Sequence, residues 1–360
     1  MPPVPKFPIK TCVLGVGLAG LAFHIPFILA LPELFTLHAV LERNPTSEGG
    51  KVQERFRVTT RIHRTIEDVC NDPEIQLVIV VLVDKPITPD AALAEELGKL
   101  AKAKNLVLYP FQNRRWDSDY LALRRLLALP ASDPHSLGDL VEFESHFDRY
   151  RAVLKGTWKD DAKPAAGQLF DLGSHLIDQA LTLFGRPATV TAITENIRGI
   201  GSPEVDDSFT VILRYPAGAA SPHPFTAILR GHILSVRAVQ PRFQVRGTKG
   251  TYIKFGVDVQ EDQLRVMSSA ENIHNEGYGV EPESLWGMLD NLREDGSVES
   301  SVWPSKDPGA YPELFRNLAY TIAGIAEQAV KWEESALTVQ IIQLAQQSSR
   351  EGRTISVPPT

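Results

Sequence analysis

Two cysteines, Cys12 and Cys70, are all that 360 residues contain. That is too few for a disulfide framework or a cysteine-rich zinc site, so both are expected as small buried apolar residues in a reducing compartment. Long basic blocks are also missing, and the net charge is −7, which argues against a surface that tracks nucleic-acid phosphates. The longest apolar runs, such as Ile75–Val83, reach about half of the ~20 residues that a membrane span needs. The proline-rich opening Met1–Lys10 has no apolar core of a secretion signal. A cytoplasmic protein is expected, with neither nucleic acid nor membrane as partner. With 43% hydrophobic and 22% charged residues, the composition can support a packed core and excludes a disordered or fibrous chain.

At this length two domains are expected, since one hydrophobic core stops growing well before 360 residues. Ile9–Gly15 reads as a strand ending in glycine, Leu18–Leu31 as a helix and Phe35–Leu41 as a second strand, together a right-handed βαβ unit. Short elements follow: a strand at Arg57–Thr60, a helix at Thr65–Asn71 with Thr65 or an adjacent residue as its cap, and an apolar strand at Gln76–Val83. A helix over Pro89–Lys104 is read with Thr88 as its cap and Pro89 at its first position. Leu106–Tyr109 reads as the next strand and Ser118–Leu129 as a helix. Near Leu140 the pattern changes to alternating strands, at Val141–Tyr150, Thr189–Asn196, Ser208–Tyr215, Phe225–Gly231, Arg242–Arg246 and Gly250–Phe255, interrupted by one helix, Gln168–Phe184. Helices at Glu313–Lys331 and Ser335–Ser349 close the chain. The reading is an α/β Rossmann domain over residues 1–130 and an α+β domain with a large, mostly antiparallel sheet over 131–334. A C-terminal helix and tail, 335–360, is expected to pack back on the first domain.

Three segments carry chemistry. Gly15-Val16-Gly17-Leu18-Ala19-Gly20 is G-x-G-x-x-G between a strand and a helix. Its first glycine permits the sharp turn, the second lets a pyrophosphate approach the backbone, and the third lets helix and strand pack closely. Glu42, at the end of the second strand, can accept from ribose hydroxyls and favours NAD; Arg43 beside it can hold a 2′-phosphate and favours NADP. Lys85, in Asp84-Lys85-Pro86, ends a strand at the carboxyl edge of the sheet, where open α/β sheets bind ligands. In the segment Gln168–Asp178, Asp171, His175 and Asp178 fall on one helical stripe, an arrangement suited to proton transfer. The same stripe also fits a helix terminus with a capping aspartate and an internally bonded histidine. No further cluster with ligand spacing accompanies it, so no metal is expected. Arg114, Arg115, Arg149 and Arg151 are candidates for a polar pocket wall.

GVGLAG (Gly15–Gly20), DKP (Asp84–Pro86), FQNRRWD (Phe111–Asp117), D-x-G-x-H-x-x-D (Asp171–Asp178) and SSREGRTISV (Ser348–Val357) together resemble the family of glucose-fructose oxidoreductase, inositol dehydrogenase and MocA over nearly the whole chain. The resemblance implies an NAD(P)-dependent oxidoreductase that passes a hydride between nicotinamide and a carbinol or carbonyl carbon of a sugar, inositol or similar polyol. By that likeness Lys85, Asp171 and His175 line the active site: His175 is the general acid/base, Lys85 orients and polarises the substrate hydroxyl and is expected to contact the coenzyme as well, and Asp171 holds substrate or imidazole. A homodimer or homotetramer is implied as well. So is a second possibility, because the family includes non-catalytic dinucleotide-binding sensors.

One departure stands out. Relatives place a loop T-P-N-x-x-H, a helix and a turn between two strands where this chain runs straight from Ile75 through Val83 into Asp84. Parallel strands need a crossover of a dozen or more residues, so this stretch supplies one strand and one βα unit is missing. A more open coenzyme site, and weaker coenzyme binding than in a relative of full length, are expected from the loss.

Overall fold

A computed structural model describes residues 6–80, 85–156, 160–218 and 220–359. Strand β1 (Ile9–Leu14) is followed by a π-helical turn, Gly20–His24, that runs into α1 (Ile25–Ala30). Then come β2 (Phe35–Leu41), α2 (Gly50–Phe56), β3 (Arg61–His63), α3 (Ile66–Cys70) and β4 (Leu77–Val80). The four strands form a parallel sheet in the order β3-β2-β1-β4. Order reverses at β1, the position where such sheets open a ligand crevice beyond the strands' carboxyl ends. Thr65 caps α3 as expected, its side chain accepting from Asp68 while the Asp68 carboxylate accepts from the Thr65 N–H.

Helices α4 (Ala91–Ala103) and α5 (Ser118–Leu127) lead to the second sheet. Its strands β5 (Leu140–His146), β6 (Thr189–Glu195), β7 (Ser208–Tyr215), β8 (Phe225–His232), β9 (Pro241–Gly247), β10 (Gly250–Phe255), β11 (Gly287–Leu292), β12 (Val298–Trp303) and β13 (Ile355–Ser356) lie in the order β12-β11-β10-β9-β5-β8-β7-β6-β13. Only the β5–β8 pair is parallel among them. A π-helical turn, Leu169–Gly173, continues into α6 (Ser174–Phe184), which covers one face of this sheet with α9 (Trp332–Glu351) beside it. Phe143, Leu176, Phe184, Phe209, Phe225 and Ile341 belong to the core between them. Alternation puts Ile193, Met288, Leu292, Val298 and Val302 on the opposite, exposed face.

The core beneath the first sheet draws on distant sequence. Helix α7 (Gln260–Val266) contributes Leu264, and α8 (Tyr311–Ile322) sends Phe315 to stack on Phe27, with ring centroids 4.8 Å apart. Helix α9 packs on α4, where Gly98 leaves room for the Trp332 ring, and the tail then joins the second sheet as β13 beside β6.

Several expectations need correction. Cys12 is buried but Cys70 is exposed. The α4 cap is Asp90, not Thr88: its carboxylate accepts from the Leu93 N–H at 3.1 Å and also from Gln343 of α9 at 2.8 Å. The third strand lies at Arg61–His63 rather than Arg57–Thr60, where Arg57 closes α2 in a left-handed conformation. Leu106–Tyr109 is not a strand. The described sheet ends at β4, and the Leu108 carbonyl accepts instead from the Gln328 side chain at 2.8 Å. Glu313–Lys331 is helical only to Ile322, and β11 and β12 were not anticipated from the sequence.

The end of the expected Gln76–Val83 strand, and Asp84, lie outside the described residues. Leu93, Leu97 and Leu100 form a stripe on α4 that is open to solvent, as are Val78, Leu106 and Val107. An additional βα unit would cover an apolar surface of this kind. No helix among the described residues is long and apolar enough to cross a membrane.

Candidate active site

The glycine segment turns as its spacing requires. Gly15 has φ of 108°, a region L side chains rarely adopt, and a Cβ on Gly20 would lie 2.1 Å from the Gly15 carbonyl oxygen. Helical hydrogen bonding starts at once, with the Leu21 N–H donating to the Gly17 carbonyl at 3.0 Å. Beside the turn is an open cleft of about 410 Å³ lined by Gly15, Val16, Gly17, Glu42, Arg43 and Lys51, among others. Among the described residues nothing stands within 4 Å of where a Gly17 Cβ would be, so a ligand can reach the backbone there. Val16 turns into the first core, Leu18 is exposed, and Ala19 and Gly20 begin the helix without lining the cleft.

Glu42 is the informative wall of this cleft. It is buried; its Oε2 accepts from the Lys51 N–H at 3.2 Å, and its Oε1 has no partner. A buried carboxylate oxygen without a donor costs free energy that a ligand hydroxyl would recover. Arg43 and Lys51 are exposed at the rim, and Arg64 reaches the Arg43 carbonyl at 3.2 Å. The residues present therefore fit a dinucleotide: amides and open space for pyrophosphate, an orphan acceptor for ribose, and cations for an added phosphate.

Lys85 is not in this cleft. Its ammonium donates to the backbone carbonyl of Asp171 and lies 3.1 Å from the Asp171 Oδ1, while Lys155 lies 3.3 Å from Oδ2. Asp171 thus sits between two lysines in the π-helical turn, which the Asp206 carboxylate anchors by accepting from the Leu169 N–H at 2.8 Å. Lys155 was missed because it lies in an irregular loop with no spacing to mark it. His175 follows on α6, buried, with its Nδ1 unpartnered. Burial, then the charges of Lys85 and Arg114, push its pKa well below the usual 6.5, and Asp171 only partly opposes them. The imidazole is thereby held in its unprotonated form, with a free lone pair.

Asp178 does not join this group. It forms a two-point ion pair with Arg115, 2.8 Å to Nε and 2.7 Å to one terminal nitrogen, and Arg115 also binds Glu334 at 2.8 Å. Arg114 is likewise committed, to Asp117 at 3.1 Å and Glu261 at 2.5 Å. A second polar cluster, His38, Asp72 and Glu74, has the reach to hold a cation. Arg61, His63 and Lys10 already crowd those carboxylates with positive charge.

Buried histidines couple the stability of the fold to pH. His24, packed edge-on to Phe111, is held down at about 3 by burial. Between pH 6.5 and that value the unfolded chain binds a proton that the folded chain refuses, so stability falls as pH drops, by up to about 1.4 kcal/mol per unit. His175 acts in the same direction. Asp206, raised to about 6 by burial, acts oppositely, because its folded form takes up a proton before the unfolded one does. Asp117, Asp178, Asp258 and Glu281, also pushed up by burial, act with Asp206, so the share of His24 is read from its removal. Between pH 7 and pH 5 the denaturant midpoint of His24→Phe should fall less, or rise more, than that of the wild-type chain; equal slopes in both proteins would remove His24 as a cause.

A parallel sheet with a glycine turn and an acceptor-lined cleft, joined to an antiparallel sheet whose covering helix supplies aspartate and histidine, defines a two-domain oxidoreductase. The chain belongs to the glucose-fructose oxidoreductase, inositol dehydrogenase and MocA family: residues 133–357 match that oxidoreductase family's C-terminal alpha/beta domain. It is 35% identical to an uncharacterised oxidoreductase of Schizosaccharomyces pombe, covering 97% of this chain and 100% of the relative. It is 33% identical to the scyllo-inositol 2-dehydrogenase (NADP(+)) IolW of Bacillus subtilis, covering 96% and 95%. Among solved structures, YvaA of Bacillus subtilis, described as an oxidoreductase, superposes with a TM-score of 0.84 at 30% identity, covering 98% of this chain and 99% of that one. The match to the S. pombe protein runs over 377 positions, more than the 360 of this chain, so that relative has positions with no counterpart here.

Proposed function

We propose that this chain is an NAD(P)-dependent dehydrogenase or reductase acting on a carbinol or carbonyl carbon of a sugar, inositol or similar polyol. The observation that carries the reading is the buried His175 beside the Lys85–Asp171 pair, its Nδ1 without a partner among the described residues. Nicotinamide, when bound, supplies the hydride acceptor or donor. In the oxidative direction the substrate O–H proton passes to the His175 imidazole as the carbonyl forms, and the reverse direction returns it. Lys85 donates a hydrogen bond to the reacting oxygen, and Asp171 holds the Lys85 ammonium in place. IolW, named as an NADP(+) enzyme for scyllo-inositol, supports the substrate class. The apolar outer face of the second sheet supports association into a homodimer or tetramer.

Coenzyme titration tests the reading. NADH and NADPH should each quench or enhance fluorescence saturably, more weakly than with a relative that keeps the extra unit. Arg43→Ala should weaken NADPH about tenfold and spare NADH, because a charge-assisted bond is worth roughly 1.5–3 kcal/mol. Glu42→Gln should weaken NADH and shift the ratio toward NADPH. No saturable binding at millimolar coenzyme would remove the proposed function.

A further inference from the structure

We propose that the substrate carries an anionic group, a carboxylate or a phosphate, and that Arg149 receives it with Arg151 alongside. The inference rests on the functional reading above and narrows its substrate class.

Position comes first. Beyond β5 the chain stays strand-like: the Arg149 N–H donates to the His232 carbonyl at 2.9 Å and the Ser235 N–H donates to the Arg149 carbonyl at 3.1 Å. Alternation therefore puts Arg149 on the same face as Phe147, and the Phe147 ring stands edge-on to His175 with centroids 6.4 Å apart. Arg151, two residues further, lines a narrow pocket with Lys155 and Asp171.

Partners come second. The other arginines on this side are spoken for: Arg114 by Asp117 and Glu261, Arg115 by Asp178 and Glu334, Arg198 by Asp207, and Arg242 by Asp119. Among the described residues, the side chains of Arg149 and Arg151 have neither a hydrogen bond nor an ion pair. Asp171, the strongest opposite charge acting on Arg149, is already shared by two lysines.

Chemistry comes third. Arg149 is partly buried, and that burial lowers its pKa despite Asp171. A guanidinium cannot shed its proton at physiological pH, so it needs an anion rather than a neutral hydroxyl, and its planar fork matches a carboxylate or phosphate. The coenzyme's own phosphates are the rival source of that anion, although the glycine turn and Arg43 offer them a place on the other domain.

Matched ligands separate these cases. D-glucose, D-gluconate and D-glucose 6-phosphate are titrated by calorimetry into the full chain, with and without saturating NADPH. The proposal expects gluconate or glucose 6-phosphate to bind at least tenfold tighter than glucose, and the better of the two assigns carboxylate or phosphate. Arg149→Met should remove that advantage while Arg149→Lys keeps part of it, and NADPH affinity should be unchanged in both, which also reports that they fold. An anion advantage that is absent, or that survives Arg149→Met, overturns the proposal. So does a loss of NADPH affinity equal to the loss of anion affinity, which would give Arg149 to the coenzyme. Failure of NADPH to bind the wild-type chain would instead overturn the dehydrogenase reading, and the anion comparison would still be read without coenzyme.

Discussion

Arg242→Met should destabilise the second domain by about 3–5 kcal/mol, the usual cost of removing one partner from a buried ion pair. Arg242 is fully buried; its Nε lies 2.7 Å from Asp119, and its terminal nitrogens donate to Ser145 and Gln179 at 2.9 Å each. The pair joins β9 to α5, β5 and α6. Asp119 is fully buried too, and one of its oxygens is already without a donor, so losing the guanidinium leaves a carboxylate with no compensation. Methionine fills much of the space but replaces none of the three hydrogen bonds. The effect should reach the site, because the same guanidinium covers the Phe147 ring at 4.4 Å, and Phe147 borders His175. Denaturant midpoints of Arg242→Met, Asp119→Ala and the double variant check this. The double variant should recover part of the loss, and simple additivity of the two single losses would show that the charges do not act as a pair.

Features set by short-range pattern were legible in the sequence. Strands β1 and β2, the glycine turn between them and the Thr65 cap depend on neighbouring residues, and the structure places them as the spacing requires. Lys85, Asp171 and His175 were named in advance on family likeness, and the fold brings Lys85 to Asp171 across 86 residues of sequence. What escaped depends on distant partners. Asp178 shares a helical stripe with His175, but the partner that decides its role, Arg115, arrives from a 3-10 turn 63 residues earlier. Lys155 belongs to a loop without periodicity. Leu106–Tyr109 has the composition of a strand, and only a neighbouring ladder could have made it one. Strands β11 and β12 carry charged and small residues at an edge of the large sheet, so their apolar alternation is too weak to mark them. Cys70 looks like any small apolar residue until the short helix α3 turns it outward.

His175→Ala should lower kcat by about a thousandfold, within the 10²–10⁴ range of a positioned acid/base, while leaving coenzyme affinity nearly unchanged. The two readouts separate because the imidazole stands with Lys85 and Asp171 and not in the cleft that Glu42 lines. Its depressed pKa fixes the form of the pH profile. The basic form is the one present above the lowered value, so wild-type oxidation should show no acid limb at the ordinary 6.5 and should keep its rate well below that pH for as long as the fold survives. Lys85→Met offers the complementary case: it removes the largest single charge acting against protonation of His175 and so should raise the pKa. An acid limb should then move up toward 6.5 in whatever activity remains. A His175→Ala protein that keeps more than a tenth of wild-type kcat would take the proton transfer away from this residue. An acid limb left in place by Lys85→Met would show that Lys85 and His175 are not electrostatically joined during turnover, and the pair would then have to be read as two independent contacts to substrate.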